Sequence, residues 1–174
     1  MDWTPLIATL GGAFIAFAGT VLADVLRHRG ERSRSGEERS RELYAEFILA
    51  VGACHARLRE LASPGPAEAA PVRAAFAEAG VYEARERLYI DGAPAVTAAA
   101  QEIFRRLREL RDAVAAGAAF DSRPFHDAYH PYLEAVWHYR AEVRRELGAR
   151  PLTLEEFGWE GWSDRATCPV CGPA

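Results

Sequence analysis

Two groups of residues in this chain have the types and the spacing that metal or thiol chemistry requires. The first is the motif Cys168-Pro169-Val170-Cys171-Gly172 near the carboxyl end. Two cysteines separated by two residues can direct both thiolates at one tetrahedral ion, and the glycine that follows permits the tight turn that aims backbone amides at sulfur. The motif therefore predicts half of a zinc site, with Cys168 and Cys171 as ligands.

The same motif has two other interpretations. In thiol–disulfide exchange, Cys-x-x-Cys opens a helix that lowers the pKa of the first thiol. Only three residues follow Cys171 in this sequence, so we expect no such helix and favour zinc over redox chemistry. In the third interpretation the cysteines only pack or stay idle.

A closed zinc site needs four ligands, and the motif supplies two. Outside the last predicted helix, the neighbouring candidates are Cys54 and His55, and Cys54 falls on a stripe of core residues. We therefore predict that the same cysteine pair of a second chain completes the site.

The second group lies along the last predicted helix, where His126, His130, Glu134 and His138 recur every four residues. Neighbours in such a row share a helix face, so two at a time can chelate a divalent metal. The row lies beside the apolar stripe of the helix, and side chains on an exposed edge bind metals weakly unless other groups orient them. His126 and His130 are thus secondary metal candidates, and the simplest interpretation is that these are ordinary surface residues.

The composition of the chain limits the kind of fold that can hold these residues in place. A chain of 174 residues with 49% hydrophobic residues can build one domain with a core. The net charge of −4 argues against nucleic acid as a partner. Three cysteines are too few for the disulfide framework of a small secreted domain.

The amino-terminal segment is apolar. Residues 3–23 carry no ionisable side chain, and a helix over about 5–26 would cover the roughly 30 Å of hydrocarbon in a bilayer. Arginines crowd its carboxyl side from Arg27 onward, so the positive-inside rule places the amino terminus outside and the rest in the cytoplasm. We expect a single-pass anchor in the cell membrane over 1–26, in contact with lipid; a cleaved signal peptide and a buried core helix are the disfavoured alternatives.

A stripe of small residues runs along this predicted anchor: Ala8, Gly12, Ala16 and Thr20. Such stripes let two helix backbones approach closely in lipid. The stripe predicts a parallel homodimer, which would bring two Cys-x-x-Cys motifs together. Because glycine and alanine are common in membrane helices, the stripe is also compatible with a monomer.

Residues 27–40 form a basic connector, and a helical bundle follows over 41–148. Apolar residues three or four apart predict helices over about 37–62, 71–90, 95–116 and 122–147, with Gly80 as a weak point and Tyr89 facing inward. No useful stretch alternates with period two, so no sheet is expected. The predicted fold is all-α: a transmembrane helix, an antiparallel four-helix bundle and an irregular tail over 149–174.

The tail carries three large aromatic residues, Phe157, Trp159 and Trp162. They either pack back over the bundle, which we favour, or form a short segment that recognises a partner, as aromatic anchors do.

This layout, with the sequence RELYAEFILAV over Arg41–Val51 and RRELG over Arg144–Gly148, resembles the uncharacterised single-pass, membrane-anchored helical proteins of high-GC Gram-positive bacteria. The resemblance covers about the first 150 residues and implies a fold and a location but no activity. We expect a membrane-tethered interaction or scaffold module with an unidentified protein partner and no catalysis. The alternative is a metal-binding or thiol-redox protein that acts through the Cys-x-x-Cys motif at the cytoplasmic membrane face.

Overall fold

The computed structural model describes residues 36–63 and 68–172. The predicted anchor over 1–26, with Gly12 and Ala16, lies outside the described residues, and so does most of the basic connector. The described residues from Ser40 onward belong to one compact unit.

The described residues form five α-helices and no strand, so the predicted all-α class is confirmed for them. Helix α1 covers 36–61, and α2 and α3 cover Ala69–Glu78 and Val81–Asp91. The long helices α4 and α5 cover Pro94–Ala115 and Arg123–Glu146, and a short 3-10 turn covers Glu155–Phe157. Among these elements, none is both long enough and apolar enough to cross a bilayer.

The second predicted helix is in fact two helices. The chain breaks at Gly80, whose φ of 68° is a left-handed conformation that suits glycine. Helix α3 buries Val81, Ala84 and Leu88 on one face, and neighbouring helix positions are about 100° apart, so the residue after Leu88 points away from that face. Tyr89, which we predicted to face inward, is 44% exposed, while Ala84 and Leu88 are buried.

All five helices contribute buried residues to one hydrophobic core. The apolar residues that recur every three or four positions along α4 are buried, namely Val96, Ala99, Ile103, Leu107, Leu110 and Val114. Helix α5 packs along α4 and reaches α1 through Tyr139, whose hydroxyl donates a hydrogen bond to the Tyr44 carbonyl at 2.9 Å. This packing holds α5 as a rigid support for the residues on its outer face.

The start of α5 and the proline within it both affect the outer face of this helix. The helix starts after Ser122, as predicted, but the Ser122 hydroxyl donates to the Ala119 carbonyl and makes no cap bond to α5. The helix then continues through Pro131, so residues on either side of the proline keep one register.

Candidate metal centre

The two histidines of the candidate site are adjacent on one face of α5. His126 and His130 are one turn apart in the first half of the helix, with ring centroids separated by 5.5 Å. His126 is half-buried, whereas only 3% of His130 is exposed. Our expectation of an exposed helix edge is therefore wrong for His130, because another part of the chain covers it.

That covering segment is the tail, which runs back along α5. The tail leaves α5 where the Arg144 guanidinium donates to the Arg150 carbonyl. Farther along, Arg165 pairs with Asp127 at 2.8 Å, about five turns before the helix ends. Successive tail residues thus meet earlier and earlier residues of α5, and the tail is antiparallel to the helix.

Aromatic packing holds the middle of this return path. The Trp137 ring on α5 contacts all three tail aromatics, with centroid distances of 5.4 Å to Phe157, 5.1 Å to Trp159 and 4.8 Å to Trp162. The tail aromatics thus pack back on the bundle, which is the arrangement we favoured. Trp159 keeps 43% of its surface exposed.

The return of the tail brings Cys168 and Cys171 to His126 and His130. The four potential ligand atoms all lie within 4.8 Å of one another, and the Cys168 Sγ is 3.3 Å from the His126 Nδ1. Zinc bound at about 2.1 Å to nitrogen and about 2.3 Å to sulfur would hold tetrahedral ligand atoms about 3.4 to 3.8 Å apart. Side-chain adjustments of about 1 Å therefore convert this arrangement into a closed Cys2His2 site.

His130 shows the hydrogen-bonding pattern of a metal ligand. Its Nδ1 lies 2.6 Å from the Ser163 carbonyl oxygen, which can only accept, so Nδ1 carries the proton. The Nε2 then has a free lone pair, and this atom is buried with no hydrogen-bond partner among the described residues. A buried acceptor without a partner is costly, and a metal ion would satisfy it.

The cysteine motif forms the tight turn expected of a zinc knuckle. The Gly172 amide donates to the Cys168 carbonyl at 2.7 Å, which closes the turn around both sulfurs. A Cβ at Gly172 would lie 2.7 Å from that same carbonyl oxygen, so only glycine fits. Cys168 is 6% exposed, and Cys171 is half-buried.

The surroundings of Cys171 change the pKa of its thiol. Partial burial raises the pKa of the Cys171 thiol, and the adjacent Cys168 sulfur and the Asp127 carboxylate add to the effect, while Arg165 opposes it. Without a metal the protonated thiol is thus favoured. Metal binding at this position would release a proton, as is general for cysteine ligands.

The other sequence candidates do not join this cluster. His138 is exposed, with Nε2 3.8 Å from a Glu142 carboxylate oxygen, and Glu134 is exposed as well. Cys54 is fully buried in the core, as predicted, and burial raises the pKa of its thiol to about 12. His55 stacks on Tyr129 at 5.2 Å.

Comparison with protein-family models, with curated proteins and with solved structures gives no match to this chain. The role of the candidate site therefore follows from the geometry of its four residues.

Sequence reasoning identified all four residues but did not connect them. The missing ligands of the cysteine pair were predicted to lie outside the last helix, and the histidines were predicted to form a separate, weaker site. The segment after α5 is long enough to bring the two cysteines back to the two histidines. The helix covers about 30 Å between His126 and its end, and the 22 residues from 147 to 168 can extend to about 70 Å.

Proposed function

We propose that this chain is a zinc-binding helical module in which one Cys2His2 site fastens the tail to α5. The observation that carries the proposal is the convergence of His126, His130, Cys168 and Cys171 within 4.8 Å. Two nitrogen and two sulfur donors form a set that structural zinc sites commonly use.

A structural role suits this site better than a catalytic one. Catalytic zinc keeps one coordination position open for water or substrate, whereas four protein ligands close the coordination sphere. The proposed ion therefore organises the chain and is not itself a catalyst. We accordingly propose a non-enzymatic module.

The ion would stabilise a surface that the helices do not form alone. The tail aromatics pack around Trp137, and Trp159 remains partly exposed. Such a half-exposed aromatic group, held rigidly, is a suitable anchor for a protein partner. The apolar residues 3–23 and the arginines that follow support a membrane tether for this module, with the bundle on the cytoplasmic side.

A second chain is not needed to complete the ligand set. The predicted dimer would instead share one zinc between two cysteine pairs, giving half an ion per chain. The two arrangements differ in stoichiometry and in ligands, so one measurement separates them.

The test is the metal content of the full chain, purified in detergent without chelator and measured by inductively coupled plasma mass spectrometry. We expect about one zinc per chain, as a single four-ligand site requires. His130→Ala should lose most of the zinc, whereas the matched variant His138→Ala, two turns farther along α5, should keep it. Protein without zinc, or a His130→Ala variant with full zinc content, would contradict the proposal.

Cobalt substitution adds a readout of the ligands. Tetrahedral Co²⁺ with thiolate ligands has intense visible bands and a sulfur-to-metal charge-transfer band. Both should be present in the wild type, and the charge-transfer band should weaken in Cys168→Ser, which removes one thiolate.

A further inference from the structure

The two sulfurs of the candidate site differ in their exposure to solvent. Cys168 is buried beneath the turn, and Cys171 is half-buried. Cys171 also lies in the wall of a cavity of about 420 Å³, which the tail forms from residues that include Glu160, Ser163 and Arg165. A small solute can therefore reach the Cys171 sulfur while the Cys168 sulfur stays covered.

The sulfurs are also positioned to react with each other. Their separation is at most 4.8 Å, and they belong to one four-residue turn. A disulfide between them would remove both tail ligands from a metal at the same time. His126 and His130 alone would then remain, on a helix whose position does not depend on the ion.

We infer that the Cys168–Cys171 pair is an oxidation site for a hydroperoxide, and that forming its disulfide releases the zinc and frees the end of the tail from α5. The inference rests on the proposed zinc site and names its regulation. It assigns different roles to the two thiolates, with Cys171 attacked first and Cys168 as the resolving residue.

The chemistry balances with hydrogen peroxide as the oxidant. The Cys171 thiolate attacks one peroxide oxygen, the O–O bond breaks, and the products are a sulfenic acid and hydroxide. The Cys168 thiolate then attacks the Cys171 sulfur, the S–S bond forms, and a second hydroxide leaves. The two sulfurs lose two electrons and the peroxide gains them, while the two hydroxides balance the charge of the released Zn²⁺.

Loss of the ion should free the end of the tail, which carries the two cysteines, because few other contacts hold it. The middle of the tail stays packed on Trp137. The Arg165–Asp127 pair is about half exposed on both sides, and exposed pairs contribute about 0 to 1 kcal/mol. The hydrogen bond from His130 to Ser163 lies before the cysteines and does not hold the turn that carries them. Oxidation thus detaches the end of the tail from α5.

The experiment uses the zinc-loaded full chain in detergent, titrated with hydrogen peroxide. A chromogenic zinc chelator measures release, and peptide mass mapping locates the oxidised thiols. We expect about one zinc released per disulfide formed, a disulfide confined to Cys168 and Cys171, an intact Cys54 thiol, and reloading after reduction with added zinc.

Cys54→Ala is the matched control, because it removes the third cysteine of the chain and leaves the Cys168–Cys171 pair intact. It should bind zinc and release it to peroxide as the wild type does. Wild-type protein that keeps its zinc while both thiols oxidise, or Cys54→Ala protein that keeps its zinc under peroxide, would overturn this inference and leave the zinc site intact. A wild type that never binds zinc would overturn the proposed function and this inference together.

Discussion

Chelation of zinc should expose the peptide bond after Arg165 to trypsin. In the zinc-bound chain, this bond lies three residues before Cys168, and its arginine is paired with Asp127. Trypsin needs an extended, accessible segment, so cleavage requires the tail to leave α5. The cleavage rate therefore reports the fraction of molecules with a detached tail.

The magnitude follows from what holds the tail. Without the ion, its attachments are the half-exposed ion pair, worth about 0 to 1 kcal/mol, and the ring contacts with Trp137, worth about 0.5 to 1.5 kcal/mol each. Their sum must offset the entropy of ordering the tail, so we expect substantial opening. Free zinc at 100 times its dissociation constant adds about 2.7 kcal/mol, which slows cleavage about 100-fold.

The assay follows the fragments of the full chain over time by mass spectrometry, with free zinc buffered or with a chelator present. Cleavage after Arg105, within α4, is the internal control, because zinc should leave it unchanged. Equal rates of cleavage after Arg165 with zinc and with chelator would refute the reasoning, since the tail would then be held without the ion.

Three further predictions concern the core, the knuckle and pH. Leu107 lies in the buried core, so Leu107→Ala should lower the free energy of unfolding by about 2 to 5 kcal/mol. Leu49 is 71% exposed, so Leu49→Ala should change it by no more than about 0.5 kcal/mol. Urea denaturation measures both values. Gly172→Ala should weaken zinc binding in a competition titration, because its Cβ would clash with a backbone carbonyl in the cysteine turn, while Gly161→Ala, which meets nothing within 4 Å, should not. Burial, aided by the charge of a nearby arginine, lowers the pKa of His55 from 6.5 to about 4. As the pH falls, His55 is therefore protonated in the unfolded chain before it is protonated in the folded one. The free energy of unfolding should fall by about 3 kcal/mol as the pH drops from 6.5 to 4. In chelator, His55→Phe should flatten that part of the stability profile, and an unchanged slope would assign it to other groups.

The spacing of apolar residues predicted the positions of the helices well, but it did not predict the break between α2 and α3 at Gly80. Helix α4 has an apolar residue every three or four positions, and the structure buries each one. The region from 71 to 90 was predicted as one helix because its apolar spacing nearly continues across Gly80. The left-handed glycine ends α2 there, and α3 buries Val81 and Leu88, so Tyr89, directly after Leu88, is exposed.

The candidate site was predictable in its parts but not in its assembly. The Cys-x-x-Cys spacing and the four-residue spacing of the histidines are local features, and both are visible in the sequence. Their meeting depends on a contact across 42 positions between His126 and Cys168. That contact arises from aromatic packing on Trp137 and the pairing of Arg165 with Asp127, and neither has a local periodic signature.

The most direct test of a single-chain Cys2His2 site is X-ray absorption at the zinc edge of the full-length protein. The account predicts two sulfur ligands at about 2.3 Å and two nitrogen ligands at about 2.0 to 2.1 Å, with the imidazole scattering of His126 and His130. A shell of four sulfurs would instead show that two chains share the ion through their cysteine pairs, and a shell made mainly of oxygen would show that the four residues do not bind it.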